Sequence, residues 1–163
     1  MRELAILVVE DEPEVREAIM RDLREFADDF LIEAAEDVDD AKDVLGQLSE
    51  SGATVGLILC DHLLPGERGV DFLIELNDDP ATAPIRKVLV TGQAGLEDTV
   101  RAVNEASLDH YIAKPWTPEQ LHEVVRDQLT DFVIDEWDDL LAYVSVLDGA
   151  RLMAVIAGRG HDR

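Results

Sequence analysis

The sequence predicts an α/β fold, in which a doubly wound sheet of five parallel strands carries helices on both faces. Short apolar runs with the length of strands alternate five times with longer segments that have helical spacing. The connections between them are short, and no internal repeat is present. Strict alternation favours a parallel sheet, because right-handed crossovers then place helices over both of its faces.

The five predicted strands are rich in β-branched and other apolar residues. In chain order they are LAILVV (4–9), FLIEAA (30–35), VGLILC (55–60), KVLVT (87–91) and HYIA (110–113). The first and third runs are almost wholly apolar, which is typical of parallel strands covered on both faces. The second run has the weakest strand pattern.

The helical segments follow the strands one by one. They are predicted at 13–27, 37–51, 69–77, 95–106 and 117–129. The first begins at Pro13, a residue favoured in the first helical turn. The last begins with Thr117 and has Gln120 three residues later, which is the pattern of a capping box.

Residues 131–163 fall outside this alternation and predict a helical C-terminal extension to a domain at 1–130. Apolar residues recur there at helical spacing among acids. Asp148 is a candidate cap for a short helix over about 149–157 that Gly158 ends. The extension either packs back on its own domain or serves as a dimerisation or partner-docking segment.

The chain of 163 residues has a formal net charge of −23 and a single cysteine. Such a charge repels nucleic acid and anionic membranes, so neither is an expected partner. One cysteine excludes an internal disulfide. The sequence has no recognisable signal peptide and no apolar stretch long enough to span a bilayer. These features predict a soluble, cytoplasmic protein.

Polar residues follow the strands at their carboxyl ends. Glu10 and Asp11 come after the first strand, Asp61 after the third, Thr91 ends the fourth, and Lys114 follows the fifth. The carboxyl ends of parallel strands lie at one edge of a sheet, so these groups are expected to converge. Converging carboxylates favour a cation, and oxygen ligands of this kind suit Mg²⁺. An aspartate beside Mg²⁺ and a lysine can act as a nucleophile toward a phosphoryl group.

The set VVEDE, LILCDHLLPG, VLVTG and YIAKPW resembles the receiver domain of bacterial two-component response regulators, the CheY-like family. The resemblance covers about residues 1–130 and implies strand order 2-1-3-4-5. It implies that Asp61 is the phosphoacceptor, Asp11 a direct Mg²⁺ ligand and Glu10 its neighbour, which often acts through water. Leu63 would offer its backbone carbonyl to the metal. Glu10 stands where aspartate is frequent in the family.

The same resemblance assigns a switch. Thr91 matches the switch hydroxyl, Tyr111 the switch aromatic, and Lys114 the phosphate-binding lysine. The bond before Pro115 is typically cis in the family.

The sequence therefore predicts a response regulator that a sensor histidine kinase phosphorylates on Asp61 with Mg²⁺. It would be a phosphoacceptor and would not be an enzyme that acts on an external product. It would have no DNA-binding output domain. Phosphorylation would change its downstream protein partner, or form a homodimer through the extension or the face from strand 4 to helix 5. Two alternatives are a pseudo-receiver scaffold that needs no phosphate and an aspartate-nucleophile phosphatase. Leu63 disfavours the phosphatase, which usually has an acid at that position.

Overall fold

The computed structural model describes residues 3–92 and 96–161 and contains one sheet of five strands. The strands are β1 (Leu4–Val9), β2 (Leu31–Ala35), β3 (Thr54–Asp61), β4 (Arg86–Thr91) and β5 (His110–Ala113). All neighbouring pairs are parallel, and the order is β2-β1-β3-β4-β5. The predicted fold class and strand order are confirmed.

Six α-helices and two 3₁₀ segments connect and follow the strands within the described residues. The helices are α1 (Pro13–Asp22), α2 (Val38–Glu50), α3 (Gly69–Asp78), α4 (Leu96–Glu105), α5 (Pro118–Glu136) and α6 (Gly149–His161); the 3₁₀ segments are η1 (Leu23–Phe26) and η2 (Leu141–Tyr143). Gly95, the predicted start of the fourth helix, lies outside the described residues. The capping box of Thr117 and Gln120 is present at the start of α5.

The first predicted helix differs from the structure in its last turn. The sequence predicts one α-helix over residues 13–27, but α1 ends at Asp22 and η1 follows. The tighter 3₁₀ turn buries both Leu23 and Phe26. The Phe30 N–H then donates to the Phe26 carbonyl at 2.9 Å and leads the chain into β2.

Each face of the sheet has its own apolar core. Alternate residues of β1 point to opposite faces, so Leu4, Ile6 and Val8 belong to one core and Ala5, Leu7 and Val9 to the other. The first core is covered by α1, η1, α5 and the C-terminal extension. The second is covered by α2 and α3. No helix in the described part of the chain is long and apolar enough to cross a membrane.

The C-terminal extension packs on the first core. Tyr143 stacks on Phe30 with ring centroids 5.6 Å apart, and the Asp148 N–H donates to the Thr130 hydroxyl at 3.1 Å. Leu152 of α6 is fully buried in the same cluster. The predicted boundary between residues 130 and 131 falls inside α5, so helix and extension are continuous.

The predicted end of the last helix at Gly158 is wrong. Asp148 accepts a hydrogen bond from the Arg151 N–H at 3.2 Å, as its predicted capping role requires. However, α6 continues through Gly158 to His161. The Arg159 guanidinium donates to the Ile134 carbonyl at 2.8 Å, which attaches the last turn to α5 and offsets the weak helix propensity of glycine.

Leu152→Ala and Met153→Ala should have very different effects on stability. Leu152 is 0% exposed and its neighbour Met153 is 47% exposed. We expect the first to lower the free energy of unfolding by roughly 2–5 kcal/mol, because it leaves a cavity in the shared core. The second should change it by less than about 0.5 kcal/mol. Urea unfolding followed by circular dichroism measures both, and equal effects would show that α6 does not belong to the core.

Candidate functional site

Three carboxylates meet at the carboxyl edge of the sheet. Val9 and Cys60 are register partners in β1 and β3, which places Glu10 beside Asp61. Oxygen atoms of Glu10, Asp11 and Asp61 all lie within 4.8 Å of one another. Glu10 is 1% exposed and Asp61 is 5% exposed. Ionised carboxylates that lie this close together and are this deeply buried repel one another unless a cation lies beside them.

Lys114 supplies one positive charge to this cluster. Its Nζ lies 2.7 Å from Glu10 Oε1 and 3.1 Å from Asp61 Oδ1. The lysine follows β5, and the peptide bond to Pro115 is cis. Because β4 separates β5 from β3, the lysine side chain spans the end of β4 to reach the carboxylates.

The proton affinities reflect the burial of this cluster. Burial raises the pKa of Glu10 to about 7, even though its hydrogen bond to Lys114 acts in the opposite direction. The negative charge of Asp61 raises it further. Burial lowers the pKa of Lys114, but the hydrogen bonds and charges of Glu10 and Asp61 together outweigh it and raise that pKa above its usual value. The ammonium therefore stays charged at neutral pH.

The donor atoms of the cluster fit a hard divalent cation. Glu10 Oε2 is buried and has no hydrogen-bond partner among the described residues. Two of the three carboxylates already share Lys114, so one ammonium leaves an excess of negative charge. Oxygen ligands of this type and number suit Mg²⁺, which keeps several waters. Glu10, Asp11 and Asp61 are the residues that would hold it.

Thr91 and Tyr111 lie beside the cluster and are connected to each other. Thr91 ends β4 and is 1% exposed. Its carbonyl accepts a hydrogen bond from the Tyr111 hydroxyl at 3.2 Å and another from the Lys114 N–H at 3.3 Å. Tyr111 is 36% exposed on the edge strand β5. The Tyr111 hydroxyl and the Lys114 N–H thus share the Thr91 carbonyl, and the switching roles of Thr91 and Tyr111 stay predictions.

Leu63 lies two residues beyond the end of β3, in the loop that leads to α3. Its side chain is 51% exposed. The predicted metal contact concerns its backbone carbonyl and stays a prediction.

Two residues that shape the site were not predicted from the sequence. The Arg16 guanidinium donates to the backbone carbonyls of Glu10 at 2.9 Å and Asp11 at 3.5 Å, and these bonds hold the backbone of the turn that follows β1. A Cβ on Gly69 would lie 1.9 Å from the Asp61 carbonyl oxygen. Arg16 lies six residues after Glu10, in the first turns of the helix that follows, and this spacing could have indicated its contact with the acidic turn. Nothing in the local sequence indicates the close approach of Gly69 to Asp61.

Comparison with known proteins identifies the family of this chain. Residues 6–126 match the family model described as the response regulator receiver domain. The hydrogenase transcriptional regulatory protein HoxA of Bradyrhizobium diazoefficiens is 39% identical over 125 residues, which are 75% of this chain and 23% of that protein. The phosphate regulon transcriptional regulatory protein PhoB of Escherichia coli is 39% identical over 116 residues, 71% of this chain and 47% of that protein. The chain therefore spans less than half of either relative.

Solved structures show the same fold. The receiver domain of an HD domain-containing protein from Pseudomonas fluorescens Pf-5 superposes with a TM-score of 0.70 at 22% identity, covering 81% of this chain and 90% of that one. A CheY-like receiver domain protein from Methanospirillum hungatei JF-1 has a TM-score of 0.66 at 26% identity, covering 80% and 96%. With the family model matched over residues 6–126, this chain belongs to the response regulator receiver domain family.

Proposed function

We propose that this chain accepts a phosphoryl group on Asp61 from a sensor histidine kinase in a Mg²⁺-dependent reaction. The observation that supports this most directly is Asp61 itself, a nearly buried carboxylate that ends β3 and shares Lys114 with Glu10. Its position at a strand end between an acidic cluster and an ammonium suits a nucleophile toward phosphorus.

In the proposed transfer, a carboxylate oxygen of Asp61 forms a bond to phosphorus as the bond from phosphorus to the donor histidine nitrogen breaks. Bound Mg²⁺ would neutralise phosphoryl oxygens, which is the main requirement of phosphoryl transfer. Lys114, already 3.1 Å from Asp61 Oδ1, would move its hydrogen bond to a phosphoryl oxygen. The chain takes part in its own phosphorylation and in the later hydrolysis, and it is a phosphoacceptor in this proposal and not an enzyme on another substrate.

The output in this proposal is a change of partner or of oligomeric state. A hydrogen bond from the Thr91 hydroxyl to the new phosphoryl group would alter the end of β4. The Tyr111 hydroxyl donates to the Thr91 carbonyl there at 3.2 Å. Tyr111 would then rotate inward and change the face from β4 to α5. The extension also offers the exposed side chains of Leu141 and Met153 for dimerisation or docking.

The test is to incubate the chain with acetyl phosphate and MgCl₂ and to record its intact mass. Wild type should gain one phosphoryl group that is labile to base and hydroxylamine, and EDTA should prevent this gain. Asp61→Asn should gain none, whereas Asp138→Asn, a change at an exposed aspartate, should behave as wild type. A wild type that stays unmodified with both acetyl phosphate and histidine kinases would favour the pseudo-receiver alternative. Rapid release of inorganic phosphate from many phosphomonoesters would favour the phosphatase.

A further inference from the structure

A groove of about 650 Å³ runs between α1 and the edge strand β2, and none of the three clustered carboxylates lines it. Its lining includes the apolar residues Met20, Phe30 and Ile32 and three arginines. They are Arg16, Arg21 and Arg24.

One edge of β2 is open along this groove. Within the described residues β2 pairs only with β1, and it is the outermost strand of the sheet. The Ala35 carbonyl faces β1, because it accepts from the Glu10 N–H at 3.0 Å. The backbone groups of successive residues in a strand point to opposite sides, so Ile32 and Ala34 direct their N–H and C=O groups outward. An edge of this kind can accept one more strand.

The arginines of the groove have few acidic partners. Arg21 pairs only weakly, with its chain neighbour Asp22 at 3.9 Å, and its side chain is 66% exposed. Arg24 forms no ion pair with any residue that the structure describes, and the Arg16 guanidinium donates to backbone carbonyls.

Most other cations of the described chain are bound to carboxylates. These are Lys42 with Glu75, Arg86 with Asp109, Arg101 with Asp71, Lys114 with Glu10 and Asp61, Arg126 with Glu25, and Arg151 with Asp131. The groove therefore brings together three arginines that have one weak ion pair among them, in a chain whose formal net charge is −23.

We propose that this groove binds an extended acidic segment of a partner protein, which adds to the outer edge of β2 as a further strand. Outward backbone groups of Ile32 and Ala34 would pair with the segment, and its carboxylates would meet Arg21 and Arg24. Glu17 and Glu33 also line the groove, so its formal balance is one positive charge, from three arginines and two glutamates. This balance favours an acidic peptide over a basic one.

Two other occupants are disfavoured by charge. A second copy of this chain would bring another −23 charges close to the first. An oligonucleotide would meet the same overall repulsion, and the strand edge offers it no base contacts. A short peptide segment brings only its own few charges.

The test measures binding of a fluorescein-labelled hexapeptide of alternating valine and glutamate by fluorescence anisotropy at low salt. The control peptide has lysine in place of glutamate. We expect the glutamate peptide to bind more tightly, and Arg21→Glu with Arg24→Glu to weaken it about tenfold or more. Arg101→Glu with Arg159→Glu makes the same change of net charge outside the groove and should leave the affinity within about twofold.

A second variant tests the strand edge separately from charge. Ala34→Pro removes an N–H that points away from β1, a position where an edge strand tolerates proline. It should weaken the glutamate peptide about three- to tenfold, the equivalent of one lost hydrogen bond, while the melting temperature confirms that the chain still folds.

Three results would overturn the proposal. The first is equal binding of the two peptides or no binding of either. The second is equal loss of affinity in the groove pair and the control pair of arginine variants. The third is a dimer in sedimentation analysis that Ala34→Pro dissociates, which would assign the groove to a second copy of the chain.

Discussion

Gly69→Ala is expected to destabilise the chain by about 3 kcal/mol or more, a large effect for the addition of one methyl group. The new Cβ would lie 1.9 Å from the Asp61 carbonyl oxygen and 3.0 Å from the His62 Cα. Both are backbone atoms, so no flexible side chain can move aside. The Gly69 N–H also donates to the His62 carbonyl at 2.9 Å, which holds the two segments together. Either the start of α3 or the end of β3 must shift.

This substitution should affect the site as well as the fold. Movement at the end of β3 displaces the backbone of Asp61, so phosphoryl gain from acetyl phosphate should fall together with stability. Gly46→Ala is the matched control: Gly46 lies within α2, and a methyl group added there would have no neighbour within 4 Å among the described residues. That change should stabilise the chain by about 0.5–1 kcal/mol. Urea unfolding measures both variants, and a Gly69→Ala chain as stable as wild type would contradict the close approach.

Lys114→Met is expected to lower the free energy of unfolding by about 3 kcal/mol at pH 8 in the absence of divalent cations. Removing one partner of a buried ion pair leaves uncompensated charge, which is strongly destabilising. Here Glu10 and Asp61 both lose their ammonium partner, and their side chains are 1% and 6% exposed. The loss should be smaller at pH 5, because Glu10, whose pKa burial raises to about 7, is then protonated and no longer repels Asp61.

Mg²⁺ should restore part of the stability that Lys114→Met loses. A divalent ion that binds the folded state at the carboxylates stabilises that state by mass action. Lys42→Met is the control, because Lys42 pairs with Glu75 at 3.0 Å with both side chains about half exposed. That substitution should lower the free energy of unfolding by less than about 1 kcal/mol. If both variants lose the same free energy of unfolding and Mg²⁺ stabilises neither, then Lys114 does not compensate the charge of Glu10 and Asp61 as described above.

The sequence predicted the convergence of the acidic cluster because parallel strands carry their carboxyl ends to one edge. Glu10, Asp11, Asp61 and Lys114 each follow or end a strand whose apolar pattern is clear, and all four meet in the structure. Such a prediction needs only the strand assignments and the fold class.

The features that the sequence did not predict depend on contacts between distant segments. Gly158 looked like a helix end, but α6 continues, and Arg159 in its last turn bonds to Ile134 of α5. The apolar residues of the extension left two interpretations open, because a hydrophobic pattern does not say which surface covers it. In the structure Tyr143 packs on Phe30, and a role of the extension in dimerisation or docking stays a prediction.

Lys87 is a further feature that the sequence did not predict. A lysine at the start of a predicted strand would ordinarily be exposed, yet this residue is 1% exposed. Its Nζ donates to the carbonyls of Ala83 at 3.0 Å and Ile85 at 2.9 Å, and burial lowers its pKa. The carbonyls that make this burial tolerable belong to the turn before β4, whose shape is set by the whole fold.

The position of Arg16 connects the groove to the acidic turn. One guanidinium lines the groove and also donates to the carbonyls of Glu10 and Asp11. A peptide carboxylate that draws Arg16 toward the groove would change the turn that presents Asp11 to a cation. Thermodynamic linkage is reciprocal, so a ligand that changes the affinity for Mg²⁺ by some factor has its own affinity changed by Mg²⁺ by the same factor. In the two proposals above, the shared Arg16 side chain would therefore couple binding of the acidic segment to binding of Mg²⁺.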